Sequence, residues 1–217
     1  MNTIYQNFNC IKFKNTIPIY GTQKKMKRDK ATLMFDLLSP VYDMMISGFC
    51  RLRGGRSYED RIRREILGQI DIKPHHRLLD IGIGTGINLT YLQKQPLQIT
   101  GVDPSFGMLR QCARRFIKLG IQAELFCHTA EQLFFADETY DRILCVNVFM
   151  YVSSCDAVLK EMLRVLTPAG KLVLTVHSRW LAKQDPFLFQ QTYREISVTA
   201  AKQGLISIIT IQKIAGT

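Results

Sequence analysis

LLDIGIGTGINL, residues 78–89, is an apolar run that ends on a carboxylate and leads into three glycines at every second position. Glycine reaches positive φ and lets a ligand lie against bare backbone. A helix opening at Gly86–Ile87 would add free N–H groups. The dinucleotide fingerprint is GxGxxG, with a pyrophosphate on the helix N-terminus. Here the pattern is DxGxGTG, and Asp80 at the strand end would repel a pyrophosphate. It favours a ligand with a cationic amine. Asp80, Gly82, Gly84 and Gly86 are therefore the first candidate cofactor contacts.

The next acid of this kind closes ITGVD, at Asp103. Dinucleotide folds use a strand-end acid to accept hydrogen bonds from ribose hydroxyls. A ribose together with an ammonium, and no phosphate, describes S-adenosylmethionine. An NAD-dependent oxidoreductase is disfavoured by the glycine spacing.

Short apolar runs at 77–82, 98–103, 122–127, 141–147 and 171–176 alternate with helical stretches at 86–94, 105–119 and 155–166. That rhythm predicts an α/β fold, a Rossmann-like, doubly wound and mostly parallel sheet buried on both faces. Ligands bind such sheets beyond the carboxyl ends of the strands, where strand order reverses. Ahead of the glycines, Ala31–Cys50 reads as two short helices broken at Pro40, and Ser57–Gln69 as a polar helix. Residues 1–30 are expected to form a flexible arm. The rest divides into a helical cover (31–70), a cofactor-binding core (77–176) and a substrate-side segment (177–217).

The 217 residues suffice for one domain with a substantial core. Six cysteines, none in a CxxC pair, suggest neither a metal site nor a disulfide framework. Without a membrane-length apolar run or a signal layout, a cytoplasmic location is the default expectation. The net charge of +11 is uneven. Residues 1–77 hold 15 Lys and Arg against 7 Asp and Glu, much of the excess in QKKMKRDK (23–30) and RLRGGR (51–56). Such a patch attracts anionic partners.

Four blocks in order make the chain resemble the class I S-adenosylmethionine-dependent methyltransferases: LLDIGIGTG, GVDPSFGMLRQCARR, CHTAEQLFFADETYDRILCVNVFMYV and EMLRVLTPAGKLVLTVHS. Within that family the chain is similar to ubiquinone and menaquinone C-methyltransferases and phosphatidylethanolamine N-methyltransferases, whose "YD" helix SPVYDMMISGF resembles. The resemblance adds Pro104, Ser105, Met108, Thr129, Ala130 and Asn147 to the cofactor contacts. Thr129 stands where the family usually has an Asp that accepts from the adenine amino group. The resemblance also implies a seventh, antiparallel strand between strands five and six, and the chain ends at IAGT, where that strand is expected to begin. The sheet is therefore expected to lack or truncate it.

Tyr151, after strand four, and His177, ending strand five, are the candidates to orient or deprotonate the acceptor. The apolar cover edged by Arg51, Arg53 and Arg56 suits a small-molecule acceptor with a hydrophobic body, quinone-type or lipid-like, met at an anionic membrane. No NPPY-like tetrapeptide follows strand four, so nucleic acid is not the expected acceptor. The alternative is a catalytically silent S-adenosylmethionine-binding protein that acts as a partner or regulator.

Overall fold

The computed structural model of the protein describes residues 8–11, 17–22, 29–52, 56–93, 95–178, 196–203 and 206–214, with backbone alone for 8–11, 22, 49–52 and 56–59. Among them nine strands form one sheet. In chain order they are β1 (Phe8–Ile11), β2 (Ile19–Thr22), β3 (Arg77–Ile81), β4 (Gln98–Asp103), β5 (Glu124–Cys127), β6 (Tyr140–Val146), β7 (Leu166–His177), β8 (Ile196–Gln203) and β9 (Ile206–Lys213). The helices are α1 (Lys30–Leu38), α2 (Tyr42–Leu52), α3 (Arg56–Ile70), α4 (Phe106–Leu119) and α5 (Cys155–Val165), with a 3-10 turn at Ile87–Leu92. The sequence predicts a longer helix at that last place.

Across the sheet the order is β1-β2-β5-β4-β3-β6-β7-β9-β8. The five predicted strands, β3 to β7, are mutually parallel. The chain steps from β3 through β4 to β5, then returns to lay β6 on the other side of β3. A crevice therefore opens at the carboxyl end of β3.

Alternation along the strands feeds two cores. Leu79, Ile81, Ile143, Cys145, Leu172 and Leu174 face α5, where Val158, Leu159 and Met162 are buried. Leu78, Leu144 and Val173 face α3 and α4, which bury Ile62, Ile66 and Ile70, and Leu109, Cys112 and Phe116. Ser105 caps α4 by accepting from the Met108 amide at 3.1 Å, and Gly120 ends it in the left-handed conformation.

Two expectations change. The sheet does not lack its seventh methyltransferase strand: β9 runs antiparallel to both β7 and β8, inserted between them. Residues 196–213 supply the last two strands as a pair. The sequence hides the first of them because β8 is an edge strand, with Ile196 and Val198 buried but Thr199, Ala200 and Lys202 exposed. Secondly, residues 17–22 belong to the domain. β2 adds to β5 in parallel, buries Ile19 with Ile17 just ahead of it, and stacks Tyr20 on Phe126 with ring centroids 4.9 Å apart. Each such aliphatic burial contributes about 1.5–3 kcal/mol.

Candidate active site

Asp80 lies one residue before the end of β3, on the strand face that also carries Leu78, and only 1% of its surface is exposed. Among the described residues neither carboxylate oxygen has a hydrogen-bond partner. An uncompensated buried carboxylate is costly, so burial pushes its pKa well above the usual range, and the nearby Asp103 carboxylate pushes further. Protein polar groups with no internal partner at a strand end mark a place built for something else.

The glycines that follow differ in purpose. Gly82, Gly84 and Gly86 all have positive φ, between 55° and 71°. A Cβ on Gly82 would meet Val148 Cγ2 at 2.3 Å, and one on Gly86 would meet Cys112 Sγ and Phe116 at 2.6 Å. Those two glycines permit packing of the turn on the segment that follows β6 and on α4. On Gly84 the nearest atom would be a carbonyl oxygen at 3.9 Å, so this glycine faces open space. Of the three, Gly84 has the room for a ligand.

Asp103 ends the neighbouring strand and folds the turn itself. Its two oxygens accept from the Gly84 amide at 2.9 Å and the Ser105 amide at 2.8 Å. Each oxygen keeps a further acceptor site for a ribose hydroxyl. Burial raises its pKa to about 6 against the lowering effect of those two amides, with Asp36 adding to the rise.

The cover closes the crevice from above. Asp36 of α1 accepts from Ser105 Oγ at 2.7 Å and from the Gly107 amide at 2.9 Å. Gly107 is required there, since a Cβ would lie 2.7 Å from Ser39 Oγ. Asp43 of α2 accepts from Thr85 Oγ1 at 2.7 Å and pairs with Arg115 of α4, which also donates to the Thr85 carbonyl. Phe35 packs edge-on against Tyr42 and against Tyr151, the latter at 5.0 Å. Burial raises the Tyr42 hydroxyl pKa, with Tyr151, Asp103 and Asp43 adding to it.

The remaining predicted residues fall around this centre. The His128 amide donates to the Asp103 carbonyl at 3.3 Å, bringing Thr129 and Ala130 beside the second acid, with Thr129 half-buried. Pro104 is half-buried in the turn between Asp103 and Ser105. Met108 is 2% exposed, and its amide donates to Ser105 Oγ at the start of α4. Asn147 directly follows β6 with φ of 60°, held by Thr175, which accepts from its amide at 2.9 Å. Tyr151 is exposed beside Phe35, and His177 ends β7 opposite Ile206. Residues 180–191 and the side chains of Arg51, Arg53 and Arg56 lie outside the described residues. Asp36, Asp43 and Arg115 are site residues that sequence reasoning did not assign; their pairings span 42 to 72 residues.

An orphaned acid, a glycine turn with open space and a second strand-end acid fit S-adenosylmethionine: ammonium on Asp80, ribose on Asp103. Residues 79–174 match the methyltransferase domain family. The chain carries a class I S-adenosylmethionine-dependent methyltransferase domain over these residues, and S-adenosylmethionine is the cosubstrate that such a domain implies. It is 30% identical over 155 residues to demethylmenaquinone methyltransferase of Corynebacterium urealyticum, covering 71% of this chain and 62% of that one. It is 32% identical over 103 residues to phosphatidylethanolamine N-methyltransferase of Cereibacter sphaeroides, covering 46% and 50%. The chain thus spans half to three fifths of these relatives' length. Among solved structures, the [4+2]-cyclase SpnF superposes with a TM-score of 0.70 at 18% identity, over 86% of this chain and 97% of that one. That likeness concerns the fold alone.

Proposed function

We propose that the protein transfers the methyl group of S-adenosylmethionine to a small-molecule acceptor with a hydrophobic body, quinone-type or lipid-like, taken at an anionic membrane surface. The observation that carries the cofactor half is Asp80, a buried carboxylate with no hydrogen-bond partner among the described residues, at the mouth of an open glycine turn. The names of the relatives support the acceptor class. So does the cover, whose Leu33, Leu37 and Met44 are 51%, 80% and 70% exposed, and whose Phe35 packs on the exposed Tyr151.

When bound, the cofactor supplies an activated methyl on a positive sulfur that leaves as a neutral thioether. The chain's own task is orientation and exclusion of water. Asp80 takes the ammonium, Asp103 the ribose, and the turn at Thr129–Ala130 the adenine edge. The α1–α2 cover roofs the crevice, and Tyr151 and His177 orient or deprotonate the acceptor.

Titration with S-adenosylhomocysteine and with NAD tests the cofactor; binding of NAD alone would overturn the reading. Labelled-methyl transfer into a lipid and quinone extract tests the acceptor, and label appearing only in water-soluble products would exclude a hydrophobic one. Vesicles containing anionic lipid should bind the protein at low salt and release it as salt rises. Indifference to such vesicles at low salt would sink the membrane half. Among the described residues no helix is long and apolar enough to cross a membrane.

A further inference from the structure

Thr85 is held from two sides by groups that do not belong to its own turn. Asp43 reaches it from α2, accepting from its hydroxyl, and Arg115 reaches it from α4, donating to its carbonyl. The same Arg115 pairs with the same Asp43, which closes a three-cornered clasp. Thr85 sits between Gly84, the glycine with open space, and Gly86, the glycine that packs on α4, and is 3% exposed. Its backbone is thus one link from the Gly84 amide that Asp103 binds.

We propose that Asp43 and Arg115 are positioning residues for the cofactor: by clasping Thr85 they set the glycine turn, so that docking of the α1–α2 cover and cofactor affinity strengthen one another. The inference rests on the cofactor reading above. The first half of the turn is pinned by the Gly82 and Ile83 amides on the Val102 carbonyl and the Gly84 amide on Asp103; the clasp at Thr85 is what ties it to the cover. Asp43 and Arg115 need not touch the ligand. The coupling is reciprocal by linkage, so whatever factor the docked cover adds to cofactor affinity, bound cofactor adds to cover docking.

The test uses the full chain and S-adenosylhomocysteine as the probe. Asp43→Ala and Arg115→Ala should each weaken binding by about tenfold, and the double variant should be no weaker than either single one. Arg115→Lys, which keeps a donor and the charge, should recover part of the loss. Hydrogen exchange on the unmodified protein supplies a measurement that needs no variant: amides of 31–48 should gain protection when the probe is added. Full additivity in the double variant, or unchanged exchange in the cover, overturns the proposal. Failure of the unmodified protein to bind the probe at all would instead overturn the cofactor reading.

Discussion

Asp80 and Asp103 end two neighbouring parallel strands, and the Asp103 carboxylate lies near enough to raise the pKa of Asp80. Neither is relieved by a salt bridge among the described residues. The free protein therefore holds two crowded acids whose relief comes from outside.

The crowding has a pH signature. Asp103 titrates at about 6 in the folded chain against 3.8 for an ordinary Asp, and Asp80 shifts in the same direction. Below 3.8 folded and unfolded chains are both protonated. As pH rises, the unfolded chain releases its protons first, so stability falls through the interval up to the folded pKa. Asp80→Asn should then melt on the order of a few degrees above the unmodified protein at pH 8, with the gap closing toward pH 4. A gap that ignores pH would mean that Asp80 does not carry the effect. The same variant should bind S-adenosylmethionine poorly.

Asp103→Ala should weaken cofactor binding by about 2–4 kcal/mol through loss of charge-assisted acceptors. It also strips the Gly84 and Ser105 amides of their partner. Calorimetry would detect either consequence, and unchanged affinity would refute the ribose assignment.

The glycines should separate by phenotype. Gly86→Ala forces a methyl against Cys112 and Phe116 and should cost the free fold about 2–5 kcal/mol, overpacking added to left-handed strain. Gly84→Ala meets no neighbour, should cost about 1–2 kcal/mol, and should lose cofactor affinity out of proportion. Denaturant titration beside calorimetry distinguishes them. Equal stability losses would mean that the turn is shaped by strain alone.

Thr129→Asp restores the acid that the family usually carries. With Thr129 half-buried next to the Asp103 turn, binding should stay level or tighten. A large loss in a calorimetric titration would show that position 129 faces something other than adenine.

The glycine turn and both strand-end acids were legible because their information is local: an apolar run, a carboxylate, a spacing. The break at Pro40 was legible for the same reason, and α1 and α2 fall on either side of it. β8 was not, since an edge strand needs only one apolar face and shows just Ile196 and Val198. The short β2 was lost among polar residues, its membership set by pairing with β5 more than 100 positions away. Asp43 could be singled out beside Tyr42, but nothing in the sequence says that its partner is Arg115. That choice is made only when the fold brings α2 and α4 together across 72 positions.

β2 also changes what kind of object the cover is. Seven residues separate Thr22 from Lys30, so the start of α1 can lie at most roughly 29 Å from a strand fixed in the sheet. At its other end α2 leads within a few residues into α3, whose Ile62, Ile66 and Ile70 are anchored in the core. The cover is thus a strap fastened at both ends, not a free arm. When it lifts, its carboxylates stay at a high effective concentration over Ser105 and Thr85. Re-closure of such a strap would then be a local event, independent of protein concentration.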